Sequence, residues 1–300
     1  MDGLLKSISE DNWLTQIRDY VPSAWIGHAP FMRYLIREIK PNCFVELGTH
    51  NGFSYFVGCQ TIDELQLPTK AFAVDHWSGD KHAGIFNQEV YETVVVLNKR
   101  YESFSKLFKM TFLEARDETP NQIDLLHIDG LHTYDAVKED FETWLPKMHP
   151  DGIILLHDVH VRHADFGVYK LWGELKTRFQ TMEFTGSYGL GVVFLGKIKG
   201  DSLPELKNIS DSGHLMQIQG VFGGLSDGVI QNYRLVSTSN LERENLEINR
   251  IKAGLERQLT ESISRHRELE LHMDLIEHSR SWKWTAPLRQ FLTFLRVWIK

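Results

Sequence analysis

The chain has 300 residues, of which 42% are hydrophobic, and its formal net charge is −7. This apolar fraction suffices for one large domain with appended segments or for two domains, and the acidic balance argues against general nucleic-acid binding. The two cysteines, Cys43 and Cys59, lie in apolar stretches, which favours free thiols in a reducing compartment. The first residues lack the basic and apolar regions of a secretory signal, and no run reaches about eighteen apolar residues, so we expect a cytoplasmic protein.

Short apolar runs alternate with helical patterns over the first two thirds of the chain. The predicted helices cover, in chain order, residues 9–40, 52–64, 86–104, 133–148 and 166–180. The predicted strands are 43–47, 71–75, one within 105–112, 123–129, 152–158, and a final pair in 182–186 and 189–196. This alternation predicts an α/β fold with a parallel sheet covered by helices on both faces, which we expect to be a Rossmann-like, doubly wound sheet of seven strands.

Four of the predicted strands carry an acidic residue at or near their carboxyl end. These residues are Glu46, Asp75, Asp129 and Asp158. Ligands of doubly wound sheets bind in the crevice outside the carboxyl ends of the strands. We therefore expect all four carboxylates to point into one crevice.

The pattern E-x-G-T-x-x-G follows the first predicted strand, with Glu46, Gly48 and Gly52 at its fixed positions. Glycines allow the backbone to approach a ligand closely. An acid in front of them would repel a pyrophosphate but attract an ammonium group, which favours S-adenosylmethionine over a nicotinamide dinucleotide. Asp75 could then accept hydrogen bonds from the ribose, and Trp77 could cover the adenine. A glycine-rich turn without a ligand is the alternative.

Four longer stretches resemble a known family. They are VELGTHNGFS (45–54), VDHWSGDKHAG (74–84), LLHIDGLHTYDAVKEDFETWLP (125–146) and GIILLHDVHVRHADFGVYKLW (152–172). They resemble class I S-adenosylmethionine-dependent methyltransferases, and more narrowly the branch of macrocin-type sugar O-methyltransferases and proteins labelled cephalosporin hydroxylase. The predicted cofactor-binding residues are Glu46, Gly48, Thr49, Gly52, Ser54, Asp75 and Trp77.

The resemblance also implies a metal site and a catalytic base. In the resembled enzymes the metal is Mg²⁺, whose ligands correspond to Asp129 and Asp158, with His157 where macrocin-type enzymes carry a second acid. Imidazole binds softer divalent metals better than Mg²⁺, so another divalent metal is an alternative. The base of the family corresponds to His132, which would take the proton of a sugar hydroxyl.

Two other metal assignments stay open on the residues alone. The run H-D-V-H-V-R-H adds His160 and His163 to the histidines near the last parallel strand, which would allow a zinc site. His157, Asp158 and His160 could also be arranged as two histidines and one acid around iron, as in a hydroxylase. That arrangement would leave the predicted cofactor crevice without a purpose.

The C-terminal third differs in composition from the rest. We predict a methyltransferase domain over 1–198, a loosely ordered connector over 199–239 with a hairpin around 221–229, a helical segment over 240–279, and a basic amphipathic tail helix over 280–300. Apolar residues at heptad spacing in 240–279 allow a short coiled coil and a homo-oligomer, or a solvated single helix. They are Leu241, Ile248, Leu255, Leu259, Leu269, Met273 and Ile276.

The tail, SRSWKWTAPLRQFLTFLRVWIK, combines basic and aromatic residues and resembles C-terminal segments of bacterial surface-polysaccharide enzymes. It could bind a membrane surface or a glycan-assembly enzyme, or pack on its own domain. We expect an O-methyltransferase acting on a sugar or glycan acceptor, cytoplasmic and peripheral at the inner membrane face. The alternatives are a non-catalytic scaffold that works through its C-terminal helices and a nicotinamide oxidoreductase.

Overall fold

The structure is a computed structural model that describes residues 2–82, 84–86, 88–196 and 214–298. The chain divides into two compact units, Met1–Ser237 and Thr238–Lys300. The strands are, in chain order, β1 (Cys43–Leu47), β2 (Lys70–Asp75), β3 (Gly79–Asp80), β4 (Gly84–Ile85), β5 (Ser105–Lys109), β6 (Ile123–Ile128), β7 (Met148–His157), β8 (Gln180–Phe184) and β9 (Leu190–Phe194). The helices are α1 (Asp2–Ser9), α2 (Ala29–Ile39), α3 (Phe53–Glu64), α4 (Gln88–Asn98), α5 (Phe112–Glu118), α6 (Tyr134–Trp144), α7 (Val168–Arg178), α8 (Leu215–His278), α9 (Arg280–Trp284) and α10 (Ala286–Trp298).

Seven of the strands in the described ranges form one mixed sheet in the order β5-β2-β1-β6-β7-β9-β8. The first five strands of this order are parallel, and β9 runs antiparallel to both β7 and β8. The chain order reverses between β1 and β6, which makes this the switch point where ligands of doubly wound sheets bind. The predicted fold class, a Rossmann-like seven-stranded sheet with a helical C-terminal extension, is confirmed.

Both faces of the sheet are covered, which explains why its central strands are nearly continuous apolar runs. Phe44 and Leu125 belong to a core shared with α2 and α3. Val45 and Leu126 belong to a second core shared with α6 and α7. Since successive strand residues point to opposite faces, Glu46 faces the same side as Phe44.

Two predictions along the chain are wrong. The predicted helical segment 9–40 contains an irregular stretch before α2. The hairpin predicted around 221–229 is part of α8, while residues 199–213 of the predicted connector lie outside the described residues. The helix forms there because residues spaced for one helix face are buried against the first core. They are Ile218, Phe222, Leu225 and Val229.

The second unit begins within α8 at Thr238 and continues through α9 and α10. The heptad residues of 240–279 are all about half exposed or more, from 49% for Ile276 to 62% for Leu269. The coiled coil and the binding role of the tail stay predictions, and the side chains at 295–300 lie outside what the structure describes. Among the described helices, none is both long and apolar enough to cross a membrane.

The packing of α8 on the first core gives a stability test. Phe222 is 2% exposed, and its ring lies 5.3 Å from the ring of Phe31 and 5.5 Å from that of Phe184. We expect Phe222→Ala to lower the free energy of unfolding by about 3 kcal/mol, because it leaves a cavity among aromatic rings. Urea unfolding followed by tryptophan fluorescence measures this change. The control is Met216→Ala on the same helix, 81% exposed, and an equally small effect of both substitutions would contradict this packing.

Candidate active site

A cleft of about 960 Å³ opens at the carboxyl ends of the parallel strands. Its walls come from the loops after β1, β2, β5, β6 and β7 and from one face of α6. Of the residues predicted for the site, those in the wall are Gly48, Thr49, Gly52, Ser54, Asp75, Asp129, His132, His157 and Asp158. The crevice predicted from the acid-ended strands therefore exists, and most of the predicted residues line it.

The loop after β1 has a shape that requires glycine at two positions. Gly48 has φ +86°, and a Cβ there would lie 2.0 Å from the carbonyl oxygen of Asp129. Gly52 has φ +85° and begins α3, and a Cβ there would lie 2.5 Å from the ring of Phe56. The hydroxyl of Thr49 is buried and has no hydrogen-bond partner within the described part of the chain. The loop thus presents tight backbone and an unsatisfied hydroxyl to the cleft.

Glu46 does not point into the cleft, contrary to the prediction. Its side chain is fully buried, and its Oε2 lies 2.8 Å from Nδ1 of His127 on the neighbouring strand β6. Burial raises the pKa of Glu46, while His127 and the Ser54 side chain act in the opposite direction. Glu46 lies inside β1, so the pleat fixes its direction toward α2 and α3. Its contact with a cofactor stays a prediction, and the contact that the structure shows is the one with His127.

Asp75, the last residue of β2, is held rigidly in the cleft wall. Its Oδ2 accepts a hydrogen bond from the backbone N–H of His50 at 2.9 Å, and its Oδ1 accepts one from Trp77 at 2.7 Å. Trp77, predicted to cover an adenine, is instead 4% exposed and donates its indole N–H to the carbonyl of His50. The left-handed backbone at Trp77, φ +50°, turns the indole into the core. The neighbouring His76 lines the cleft in its place.

Three side chains converge between the ends of β6 and β7. One ligand-type atom each from Asp129, His132 and Asp158 lies within 4.8 Å of the others. Nε2 of His132 is 2.9 Å from Oδ2 of Asp158 and 3.3 Å from Oδ1 of Asp129. Burial lowers the pKa of His132, but the hydrogen bonds and charges of the two carboxylates outweigh it and raise that pKa to about 10. We call these three residues the carboxylate–histidine cluster.

His157 supplies no atom to this cluster, although we predicted it as a metal ligand. Its Nε2 lies 2.9 Å from the carbonyl oxygen of Ser187, and its Nδ1 lies 3.2 Å from Oδ1 of Asp129. A carbonyl and a carboxylate only accept, so both contacts are hydrogen bonds when both ring nitrogens carry a proton, as they do in an imidazolium. Burial lowers the pKa of His157, and Asp129 more than reverses this, so that the pKa is raised. Both ring nitrogens of His157 therefore have partners outside a metal site. His132, and not His157, supplies the imidazole of the cluster.

The donor set of the cluster fits a divalent cation. Two carboxylates and one imidazole nitrogen are ligands for such ions, and the nitrogen favours a softer metal than Mg²⁺. Without a cation, an imidazolium at His132 lies between the two carboxylates and offsets one of their two negative charges. The pKa of Asp129 is accordingly held well below its usual range: burial raises it, but His157 and His132 outweigh that effect.

At the mouth of the cleft, the loop after β7 contacts the β3–β4 hairpin. Asp165, in the loop after β7, pairs with Lys81 on the β3–β4 hairpin and lies 2.6 Å from Nε2 of His82. The ring of Phe166 stacks on His82 at 4.3 Å and on His132 at 5.0 Å. The hairpin is thereby fixed next to the carboxylate–histidine cluster.

Asp140 is a cleft residue that the sequence did not single out. It lines the cleft from α6 and makes no hydrogen bond or ion pair with any residue in the described ranges. Burial, with a smaller contribution from Glu139, raises the pKa of Asp140 to about 7. The sequence feature that could have indicated Asp140 is its position near Phe141 and Trp144, two buried residues on the apolar face of α6.

Residues 45–159 match a family described as a methyltransferase domain. The chain is 44% identical over 195 residues to an uncharacterized protein y4gI of Sinorhizobium fredii, a match that covers 64% of this chain and 22% of that protein. The chain thus spans about a fifth of the length of this curated relative.

Similar solved structures include a putative caffeoyl-CoA O-methyltransferase from Staphylococcus aureus. It is 16% identical with a TM-score of 0.46, and the match covers 64% of this chain and 92% of that one. The O-methyltransferase TomG from Streptomyces achromogenes is 15% identical with a TM-score of 0.45, over 66% and 91% of the two chains.

The raised pKa of Asp140 predicts a pH-dependent stability. The pKa is about 7 in the folded protein and 3.8 in the unfolded chain, so between these pH values the unfolded state releases the proton first and stability falls as pH rises. At pH 8, we expect Asp140→Asn to raise the free energy of unfolding by about 1–2 kcal/mol, less than the full pKa shift implies because the side chain is partly exposed. Urea unfolding at pH 8 and at pH 5 measures the change.

At pH 5 the same substitution should stabilise the protein by less than half as much. The control is Glu142→Gln, an exposed acid on the same helix, which should change stability little at either pH. A stabilisation by Asp140→Asn that is equal at both pH values would contradict the raised pKa.

Proposed function

We propose that the protein transfers a methyl group from S-adenosylmethionine to a hydroxyl group of a sugar, because residues 45–159 match a methyltransferase domain and the sheet is doubly wound. One observation carries this proposal: the carboxylate–histidine cluster and the glycine loop after β1 line the same cleft. The proposed cofactor site and the proposed site of hydroxyl activation would therefore be adjacent.

The cofactor residues are those of the cleft wall. Gly48 and Gly52 line the cleft and give the loop its left-handed turns, and the fixed carboxylate of Asp75 has lone pairs left to accept hydrogen bonds from ribose hydroxyls. Acids in the wall disfavour a pyrophosphate, which argues against a nicotinamide dinucleotide. Thr49 and Ser54 offer hydroxyl groups at the start of α3.

In the reaction, the bond between the methyl carbon and the sulfonium sulfur breaks while a bond to the acceptor oxygen forms. S-Adenosylhomocysteine leaves, and the hydroxyl proton passes to water if His132 holds a cation, or to His132 if that residue acts as the base. Because the sulfonium is already activated, the chain contributes mainly by positioning the two reactants in line.

A divalent cation held by Asp129, His132 and Asp158 would lower the pKa of the acceptor hydroxyl. Nε2 of His132 faces both carboxylates, so we assign it as the nitrogen ligand. One nitrogen atom cannot bind a cation and also take a proton. The assignment of His132 as a metal ligand is therefore incompatible with its predicted role as a base through the same nitrogen.

The acceptor class rests on the resemblance to macrocin-type sugar methyltransferases and on the cleft mouth. Tyr188, 59% exposed, lines the cleft and offers an aromatic surface of the kind that packs against a sugar ring. A surface polysaccharide or a glycosylated metabolite fits this class.

A second candidate function is partner binding through the C-terminal helices. The exposed heptad residues of α8 favour it, because apolar residues repeating on one helix face bury well against a second copy of the chain. In a parallel pair, Arg265 of one copy would face Glu270 of the other. This candidate becomes the main one if the cleft binds no cofactor.

Cofactor binding tests the proposed function. We expect the wild-type protein to bind S-adenosylmethionine in a calorimetric titration and Asp75→Asn to weaken binding by about 10- to 100-fold, because a charged acceptor for the ribose hydroxyls is lost. Asp117→Asn, which removes a charge at a side chain that is 86% exposed, is the control and should bind as the wild type does. Absence of heat from the wild type would contradict the proposal and leave the partner-binding candidate.

A Mn²⁺ titration distinguishes the two histidines. We expect His132→Gln to weaken Mn²⁺ binding by at least about tenfold, because a nitrogen ligand is lost, and His157→Gln to weaken it less. Thermal unfolding by circular dichroism checks that both variants fold. Unchanged Mn²⁺ affinity in His132→Gln would return that residue to the role of base, and a larger loss in His157→Gln would restore the ligand set predicted from the sequence.

A further inference from the structure

The tail, residues 280–300, carries a charge opposite to that of the rest of the chain. Its charged residues are all basic, and they are Arg280, Lys283, Arg289, Arg296 and Lys300. Because the whole chain carries −7 and the tail carries +5, residues 1–279 together carry −12. Positive charge is therefore concentrated in one short segment, where it attracts an anionic surface that repels the remainder of the chain.

Helix α10 separates apolar from basic residues along its length. Leu288, Phe291 and Leu292 are spaced by three and four residues, which places them on one face of the helix. Arg289 lies on the other side. In the sequence, the next two basic residues follow Arg289 after seven and eleven positions, a spacing that keeps to one side of a helix. The helix thus has an apolar face and a basic face.

The apolar face of α10 is exposed within the described part of the chain. The exposed fraction is 64% for Leu288, 60% for Phe291 and 53% for Leu292. Trp284 of the preceding helix α9 is 88% exposed. Apolar side chains grouped in this way on a surface mark a site for another protein or for a membrane.

Arg289 joins α9 to α10. Its guanidinium group lies 3.6 Å from the centre of the Trp282 ring and donates a hydrogen bond to the carbonyl oxygen of Trp282 at 2.7 Å. The hydroxyl of Ser279 accepts a hydrogen bond from the N–H of Trp282 at 3.2 Å and caps α9. The two helices therefore form a preformed element, which loses less conformational entropy on binding than a disordered segment does.

We propose that the tail binds the surface of a lipid bilayer that contains anionic headgroups. The apolar face of α10 lies among the acyl chains, and the basic residues lie at the phosphate groups. Helices with Lys and Arg on one face and Trp, Phe and Leu on the other bind bilayers in this way. The inference goes beyond the proposed function, because it needs neither the cofactor nor the cleft.

The length of α10 favours an orientation in the plane of the surface. The helix has 13 residues. At 1.5 Å per residue it is roughly 20 Å long, whereas the hydrocarbon core of a bilayer is about 30 Å thick. Its basic face also needs headgroups or water along the whole helix. An orientation in the plane satisfies both conditions.

A second copy of the chain fits this face less well than a lipid surface does. In a two-fold contact of tail against tail, the five positive charges of one copy would face the same five charges of the other. Like charges that face each other across an interface oppose association. An anionic bilayer instead supplies opposite charge and an apolar layer together.

Co-sedimentation of the full chain with lipid vesicles tests the inference. One set of vesicles consists of phosphatidylcholine alone, and in the other set one lipid in three is phosphatidylglycerol. We expect at least about tenfold stronger binding to the anionic vesicles. This preference should shrink at high salt, because the attraction between the tail and the headgroups is screened.

Substitutions in the apolar face test its burial. Leu288→Ala/Leu292→Ala should weaken binding to the anionic vesicles by at least about tenfold, because apolar area inserted among the acyl chains is lost. The matched control is Leu271→Ala/Leu275→Ala on α8, where the two leucines have the same spacing and are 61% and 68% exposed. This control should bind as the wild type does.

A charge substitution tests the basic face separately. Lys283→Gln should weaken binding to the anionic vesicles about fivefold, and it should leave binding to phosphatidylcholine vesicles unchanged. Its control is Lys252→Gln, which removes the same charge from an exposed position of α8 and should change neither.

Three results would overturn the inference. The first is that the wild type binds neither kind of vesicle, or binds both equally. The second is that the control pair in α8 loses as much affinity as the pair in α10, while thermal unfolding by circular dichroism shows that both variants fold. The third is an oligomer, seen by sedimentation without vesicles, that dissociates in Leu288→Ala/Leu292→Ala, because the face would then belong to a second copy. S-Adenosylmethionine binding should be unchanged in the tail variants, so failure of this inference leaves the proposed function standing.

Discussion

The ends of β1 and β6 approach each other so closely that only glycine fits between them. Gly48 lies where a Cβ would be 2.0 Å from the carbonyl oxygen of Asp129. This closeness follows from the register of the two strands, in which Leu47 pairs with Ile128 and accepts a hydrogen bond from the N–H of Asp129 at 2.8 Å. The glycine loop and the first carboxylate of the cluster therefore share one wall. The proposed chemistry depends on this adjacency, because a methyl donor and an activated hydroxyl must meet in line.

A buried polar layer lies behind the cleft and fixes its floor. Glu46 pairs with His127 across β1 and β6, and His157 joins Asp129 to the carbonyl of Ser187. These contacts resist rearrangement, since breaking one of them leaves a desolvated partner. The acids at the strand ends thus divide into one that supports the sheet and three that face the cleft.

Strand geometry explains this division and also how much of the site could be predicted. Asp129 and Asp158 follow the last residues of their strands, and Asp75 is the last residue of β2, so their side chains meet at one edge of the sheet. Glu46 lies one residue inside β1, where the pleat alone fixes its direction. The alternation of apolar runs and helical patterns was enough to predict the fold, because the spacing of apolar residues reflects which faces of the strands and helices are buried.

The remaining errors come from features that a single sequence does not display. Trp77 and Asp158 have left-handed backbones, with φ +50° and +60°, and such turns decide which neighbouring side chain faces the cleft. The turn at Asp158 lies directly after His157, which we predicted as a ligand. In the structure, His132 supplies the imidazole of the cluster instead. The glycines Gly223, Gly224 and Gly228 suggested a hairpin, but burial of residues such as Phe222 outweighs their low helix propensity.

The most direct test of the whole account is a crystal structure of the full chain with S-adenosylhomocysteine bound. The account predicts the ribose hydroxyls at the carboxylate of Asp75 and the sulfur facing the cluster of Asp129, His132 and Asp158. A ligand bound outside the cleft, or one whose sulfur faces solvent, would contradict it.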